Sequence, residues 1–205
     1  MKIKVVNNTK DVKVDVKNDI WGNVVLTIDE NRAEVKPKTL ANAQPGEIVQ
    51  LGNYKFIVLG HGAETTALLS ADCVYRMPYT GTDWRTSPIR DKLNTEFYGE
   101  MCNIVGEYNV IQHTTNLTAV DGSGSKMSCL DKISMLTLDN YRRYSEFIKN
   151  NKESFWWLVT RNSYRDTTTE FTCVDTHGVP RLNLSTQYTA YGVRPFCILR
   201  STVRI

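Results

Sequence analysis

Five cysteines and three histidines carry most of this chain's capacity for metal or redox chemistry, and their spacing argues against both. Cys73, Cys102, Cys129, Cys173 and Cys197 are widely separated, odd in number and free of any Cys-x-x-Cys pair. That pattern disfavours a zinc ribbon, a thioredoxin-like site and a disulfide framework. Three of them adjoin apolar residues in predicted strands (Cys73-Val74, Cys173-Val174, Cys197-Ile198), so buried free thiols are expected. His61, His113 and His177 stand alone, without a second ligand at metal spacing, and neither a metal nor a cofactor is expected. Ser123, Ser125, Asp175 and His177 are the residue types of a nucleophile, orienting acid and base, but no nucleophile elbow or fixed spacing links them. The Gly122-Ser123-Gly124-Ser125-Lys126 run lacks the spacing of a phosphate-binding loop, and no Gly-x-Gly-x-x-Gly turn follows a strand. Residues 112–118 and 121–126 therefore read as a flexible polar loop.

Surface recognition is the chemistry these residues suit better. Thr160 to Glu170 reads as a polar loop in which Arg161, Tyr164 and Arg165 combine hydrogen-bond donors with an aromatic surface. The 112–126 loop adds His113 and Asp121 as candidate contacts. The alternative for both segments is a solvated connection.

Such loops need a rigid support, and Phe155-Trp156-Trp157-Leu158-Val159 supplies it. Adjacent tryptophans on a strand point to opposite sides of the sheet, so this strand is predicted to be covered on both faces. Tyr191 to Leu199 forms a second apolar stretch. Ser87 caps a helix with Pro88 at its first position, and Ile89, Leu93 and Phe97 recur every four residues. A second helix follows Thr137, running from about Leu138 to Lys149, with Tyr141, Tyr144, Phe147 and Ile148 as its apolar face and Asn150-Asn151 ending it. The remaining periodicity is mostly strand. The expected class is α+β, with two main helices packed on twisted antiparallel sheets.

Residues 1–45 read as a small β accessory segment and 46–205 as the main domain. Lys2 to Val6, Val12 to Val16 and Val24 to Ile28 are short predicted strands, and Val12, Val14 and Val16 share one face opposite charged residues. That face needs a cover, from the main domain or from another subunit, and a homo-oligomer is expected. With 25 basic and 22 acidic residues spread along the chain, the net charge of +3 leaves no Lys/Arg run to track a nucleic acid. The Met1 to Val6 start lacks a secretory signal, and no apolar stretch is long enough to span a bilayer. A soluble protein, cytoplasmic or virion-associated and without membrane insertion, is the expectation.

Four segments occur in a particular order: Gly52 to Leu59, Thr82 to Tyr98 with its Trp84-Arg85-Thr86-Ser87-Pro88, Phe155-Trp156-Trp157-Leu158-Val159-Thr160-Arg161, and Gly192-Val193-Arg194-Pro195. Over roughly residues 46 to 200 this set resembles a bacterial and phage family of uncharacterised domains marked by Trp-Trp-Leu-Arg and Gly-Val-Arg-Pro motifs. That family in turn resembles the C-type-lectin-like scaffold of formylglycine-generating enzymes and phage tropism determinants. The chain departs from the family pattern at Phe56, where tryptophan is common, and at Val159-Thr160-Arg161, which replaces a tighter Leu-Arg-Ser turn. The resemblance implies a C-type-lectin-like fold and scaffold roles for Trp84, Arg90, Trp156, Trp157 and Arg194, with Arg194 buried against a carboxylate or loop carbonyls. Trp84 and Arg90 would fix the first helix to the sheet, and Asn94 would bond a neighbouring loop. It implies a non-enzymatic binding or structural module, in its leading form a phage or prophage-derived receptor-recognition component binding a protein or glycan on a cell surface. The alternatives are an enzyme on the formylglycine-generating scaffold, for which two of Cys129, Cys173 and Cys197 would have to meet, and an intracellular host-interaction protein. Calcium-dependent sugar binding is disfavoured, since the Glu-Pro-Asn, Gln-Pro-Asp and Trp-Asn-Asp signatures are absent.

Overall fold

The computed structural model describes residues 12–18, 24–30, 38–148, 154–165, 170–183 and 189–205. The expected strand at Lys2 to Val6, the expected helix end at 149–151 and part of the 160–170 loop lie outside them. The chain divides into two compact units, Met1–Pro37 and Lys38–Ile205. In the first, β1 (Val12–Asn18) and β2 (Val24–Glu30) form an antiparallel hairpin whose register sets Val14 against Ile28 and Val16 against Leu26. Residues 38–45 belong to the second unit rather than to the accessory segment. Leu40 and Ala43 are buried there, Leu40 N donates to the Val203 carbonyl at 2.9 Å, and Thr39 bridges Arg204.

The body is an α+β fold with a mixed antiparallel and parallel sheet system and two main helices. Its chain runs through β3 (Ile48–Leu51), β4 (Tyr54–His61), β5 (Thr65–Ser70) and β6 (Tyr75–Pro78) to the first helix. That helix comprises α1 (Pro88–Lys92), a π turn (Leu93–Phe97) and α2 (Tyr98–Val105). Next come β7 (Val110–Ile111), β8 (His113–Asn116), β9 (Ser128–Asp131), β10 (Ile133–Ser134) and the second helix α3 (Leu138–Tyr144). The last strands are β11 (Trp156–Arg161), β12 (Phe171–Val174), β13 (Pro180–Asn183), β14 (Ala190–Val193) and β15 (Phe196–Arg200).

One sheet has the order β10-β15-β5-β4-β3 with β7 also on β15, the other β13-β12-β11-β14-β6, and β8 pairs with β9 separately. The expectation of purely antiparallel sheets needs correcting, because β14 runs parallel to β11. Two successive hairpins, β11 to β12 and β12 to β13, restore the starting direction. A crossover to the far side of β11 then lays β14 parallel to it.

Alternation along the central strands divides the core. Trp157, Val159, Phe56 and Val58 join one apolar cluster, while Trp156, Leu158, Ile57 and Leu59 join the other. Both tryptophans are fully buried on opposite faces of a central strand. The first helix packs into the larger cluster through Ile89, Leu93, Phe97 and Met101. A strict four-residue spacing drifts by about 40° per step on an ideal α-helix. The wider π turn in the middle of this stripe takes up that drift and keeps the four side chains on one face. Ser87 accepts from Arg90 N at 3.1 Å with Pro88 at the first turn, and Thr137 caps α3 through Asn140 N at 3.1 Å. Leu138 and Tyr141 of α3 enter the smaller cluster, but the helix ends at Tyr144, short of the expected Lys149, so Ile148 joins that cluster from beyond the helix.

Candidate functional site

The two polar loops expected to carry recognition meet at the end of β11. Arg161 is the last residue of that strand and only 6% exposed, so it is not a surface contact as the sequence suggests. Its guanidinium donates to the Thr82 carbonyl at 2.6 Å and lies 5.2 Å from the centre of the Tyr164 ring. Backbone bonds from Val120 N to the Arg161 carbonyl and from Asp121 N to the Asn162 carbonyl then join residues 119–126 to the strand exit. The glycine-serine run is thus a docked segment, against the expectation of a flexible loop.

Asp121 holds the docking together. Its Oδ1 accepts from Ser123 N at 2.9 Å and Ser123 Oγ at 2.5 Å, while Oδ2 accepts from Ser163 Oγ at 2.8 Å. Ser123 Oγ accepts in turn from Tyr164 N at 2.8 Å. These bonds, those of Ser123 first, hold the Asp121 carboxyl down to about 2. Gly124 has φ +66°, and a Cβ on it would come within 2.8 Å of the Tyr164 ring, so glycine serves both the turn and the approach of the aromatic. Burial raises the Tyr164 phenol, helped by the Asp83 charge and opposed by Arg161 and Arg85. Outward of this frame, the Arg165 side chain is 75% exposed, with its Nε 3.8 Å from Asp121 Oδ2. Arg85 flanks the site while paired to Asp83 through Nε and Nη2. The arrangement presents aromatic surface, two guanidinium groups and two carboxylates on a fixed backbone. Sequence reasoning missed Asp83 and Arg85, whose only local sign is a carboxylate capping a short turn two residues before an arginine.

His113 does not join this group. It sits on β8, its Nε2 2.9 Å from Ser134 Oγ and its ring edge-on to Phe196 with centroids 5.2 Å apart. Burial lowers the imidazole pKa, with the Asp131 charge and the Ile111 carbonyl opposing. Among the described residues, no hydrogen bond joins Ser123 or Ser125 to Asp175 or to the His177 ring. Ser123 is committed to the Asp121 docking, while Asp175 accepts from the backbone amides of His177 and Val179 and from Arg181 Nε at 2.9 Å. Among the described residues, the His177 ring reaches only the Thr176 hydroxyl, at 3.4 Å.

The remaining candidates build the frame. Asp131, wholly buried, accepts from Trp84 Nε1 at 2.9 Å, Thr115 Oγ1 at 2.6 Å and Arg90 Nε at 2.7 Å. Asn94 clips the first helix to residues 132–133, donating to the Ile133 carbonyl at 2.8 Å and accepting from Lys132 N at 2.9 Å. Arg194 is fully buried, donates through Nε to the Ser70 carbonyl at 2.9 Å and lies 4.7 Å from the centre of the Trp156 ring. Desolvation lowers its pKa to about 10. The Trp157 indole donates to the Met77 carbonyl at 2.8 Å. All five cysteines are free thiols. Cys173 lies in the sheet of β11 and Cys197 in that of β5, and burial pushes these thiols up to about 11 and about 12. Among the described residues no three His, Cys, Asp or Glu side chains gather to hold a metal, and no helix is long and apolar enough to cross a membrane. Compared with known proteins, the chain matches no family model, no curated protein and no solved structure.

Proposed function

We propose that this chain is a binding module with a C-type-lectin-like body that recognises a protein or glycan on a cell surface, acting as a phage or prophage-derived receptor-recognition component. The observation that carries the reading is the docking of residues 119–126 onto residues 161–165, which fixes Tyr164 and Arg165 to the end of the central strand. A contact surface ordered in advance loses less conformational entropy on binding, and tyrosine and arginine are the side chains that contribute most per residue at interfaces. The body supports the reading as well. Trp84, Trp156, Trp157 and Arg194, which carry the motif resemblance, are all buried, so the loops can vary without disturbing the core. Assembly of copies through the N-terminal hairpin belongs to the same proposal, and light scattering on the full chain would read it as a mass above that of one chain.

Glycan arrays and pull-downs from cell-surface preparations test the proposal. The wild type is expected to retain a ligand that the exposed Arg165→Ala variant loses, with near-identical melting. Equal retention by both proteins would remove this surface from consideration.

A further inference from the structure

A cavity of about 180 Å³ opens between β8, α3 and β15, away from the docked loops. Its walls combine the aromatic Phe196 with polar groups from three elements: Asn140 and Tyr144 from α3, and the Ser134–His113 pair from β10 and β8. Asn140 and Tyr144 are one helical turn apart and face the same side of α3. Neither the Asn140 amide nor the Tyr144 hydroxyl has a hydrogen-bond partner among the described residues. No Lys, Arg, Asp or Glu lines the cavity among the described residues, and burial favours the neutral form of His113. His113 Nδ1 is buried, while Nε2 pairs with Ser134 Oγ at 2.9 Å, and both residues line the cavity.

We infer that this cavity binds one small, uncharged, polyhydroxylated ring, a cyclitol or a monosaccharide unit. Size sets the first limit: the volume is below the roughly 300–1,000 Å³ of drug-sized sites and matches the space of roughly six waters. Charge sets the second, because an ion entering an uncharged, partly buried site loses hydration without gaining a counter-charge. The polar lining sets the third. Hydroxyl, amide and neutral imidazole groups can each donate or accept, which suits ligand hydroxyls that do the same. Phe196 offers an apolar wall for the C–H face of such a ring, and its edge-on packing against His113 holds that wall in place. This inference is independent of the recognition surface, since it shares no residue with the docked loops.

The test is a ¹H–¹⁵N NMR titration of the full chain with myo-inositol and, separately, with methyl pyranosides of glucose, galactose and N-acetylglucosamine. At least one probe is expected to produce saturable shifts centred on the amides of His113, Asn140, Tyr144 and Phe196, and the two arms separate a cyclitol from a sugar. Asn140→Leu and the milder Tyr144→Phe should each weaken that binding about tenfold, the effect of one lost hydrogen bond. Should the leucine variant fail to fold, the phenylalanine variant carries the comparison. Absence of saturable shifts with every probe, shifts centred elsewhere, or binding unchanged in a folded variant would overturn the inference.

Discussion

Replacing Gly192 by alanine probes why glycine stands in the Gly-Val-Arg-Pro segment. Gly192 lies within β14, opposite Trp156 on β11, and it is not among the glycines with positive φ, so its backbone conformation does not demand glycine. The obstruction is a neighbour. An added Cβ would fall 2.2 Å from Cys73 Sγ, 3.0 Å from Cys73 Cβ and 3.3 Å from the Phe155 carbonyl oxygen. The Phe155 oxygen cannot retreat freely, because it accepts the Gly192 N–H at 2.8 Å. Overpacking of this kind costs about 1–3 kcal/mol. Cys73→Ala removes one heavy atom, comparable to a buried methyl deletion of about 0.5–1.5 kcal/mol. In the double variant the sulfur clash is gone and only the tight Cβ–Cβ and Cβ–carbonyl contacts remain. The second substitution should therefore relieve the first, with a favourable coupling of about 1 kcal/mol or more. Urea unfolding of the four proteins measures this through the midpoints at constant m-value. Costs that simply add, within about 0.5 kcal/mol, would show that Cys73 is not what excludes a side chain at Gly192.

Trp156→Ala and Trp157→Ala should each cost about 3–5 kcal/mol in the same assay, since each indole fills a separate cluster. Asp131→Ala should cost about 2–5 kcal/mol, because it leaves the buried Trp84 and Thr115 donors without their acceptor and breaks the ion pair to Arg90. Asp131→Asn should cost less in the same urea series, as it keeps one acceptor. For Asp121 the folded-state pKa lies below the ordinary carboxyl value of 3.8, at about 2. Its contribution to loop docking is complete above the unfolded value and is lost as pH falls from there through about 2. Protection of the Tyr164 amide from hydrogen exchange should fall over that window in the wild type, and Asp121→Asn should remove this pH dependence.

Features set by neighbouring residues were readable, and features set by distant ones were not. Ser87-Pro88 and Thr137 announce their helices because a cap acts within three residues. Trp156-Trp157 announces a doubly covered strand because side chains alternate. Arg161 misleads for a physical reason: a charged residue after a threonine reads as an exit from the strand, yet its guanidinium is accommodated by a carbonyl at Thr82, 79 positions away. Composition likewise marks 121–126 as flexible, while the Ser163 hydroxyl that anchors Asp121 lies 42 residues downstream. Asp131 gave no sign of being a hub, since its partners Thr115, Arg90 and Trp84 stand 16, 41 and 47 residues away. Gln112-His113-Thr114-Thr115-Asn116 reads as a loop because it is polar, although β9 pairs with His113–Asn116 as a strand.

The most direct test of recognition by the docked loops is the affinity of Arg165→Gln for the ligand retained by the wild type, measured beside thermal melting of both proteins. Arg165 is exposed, and its ion pair with Asp121 is long, so the substitution should leave the melting transition in place. Recognition through Arg165 predicts binding weakened by about tenfold or more, as for a charged hydrogen-bond donor removed from an interface. Unchanged affinity in a protein of unchanged stability would contradict it.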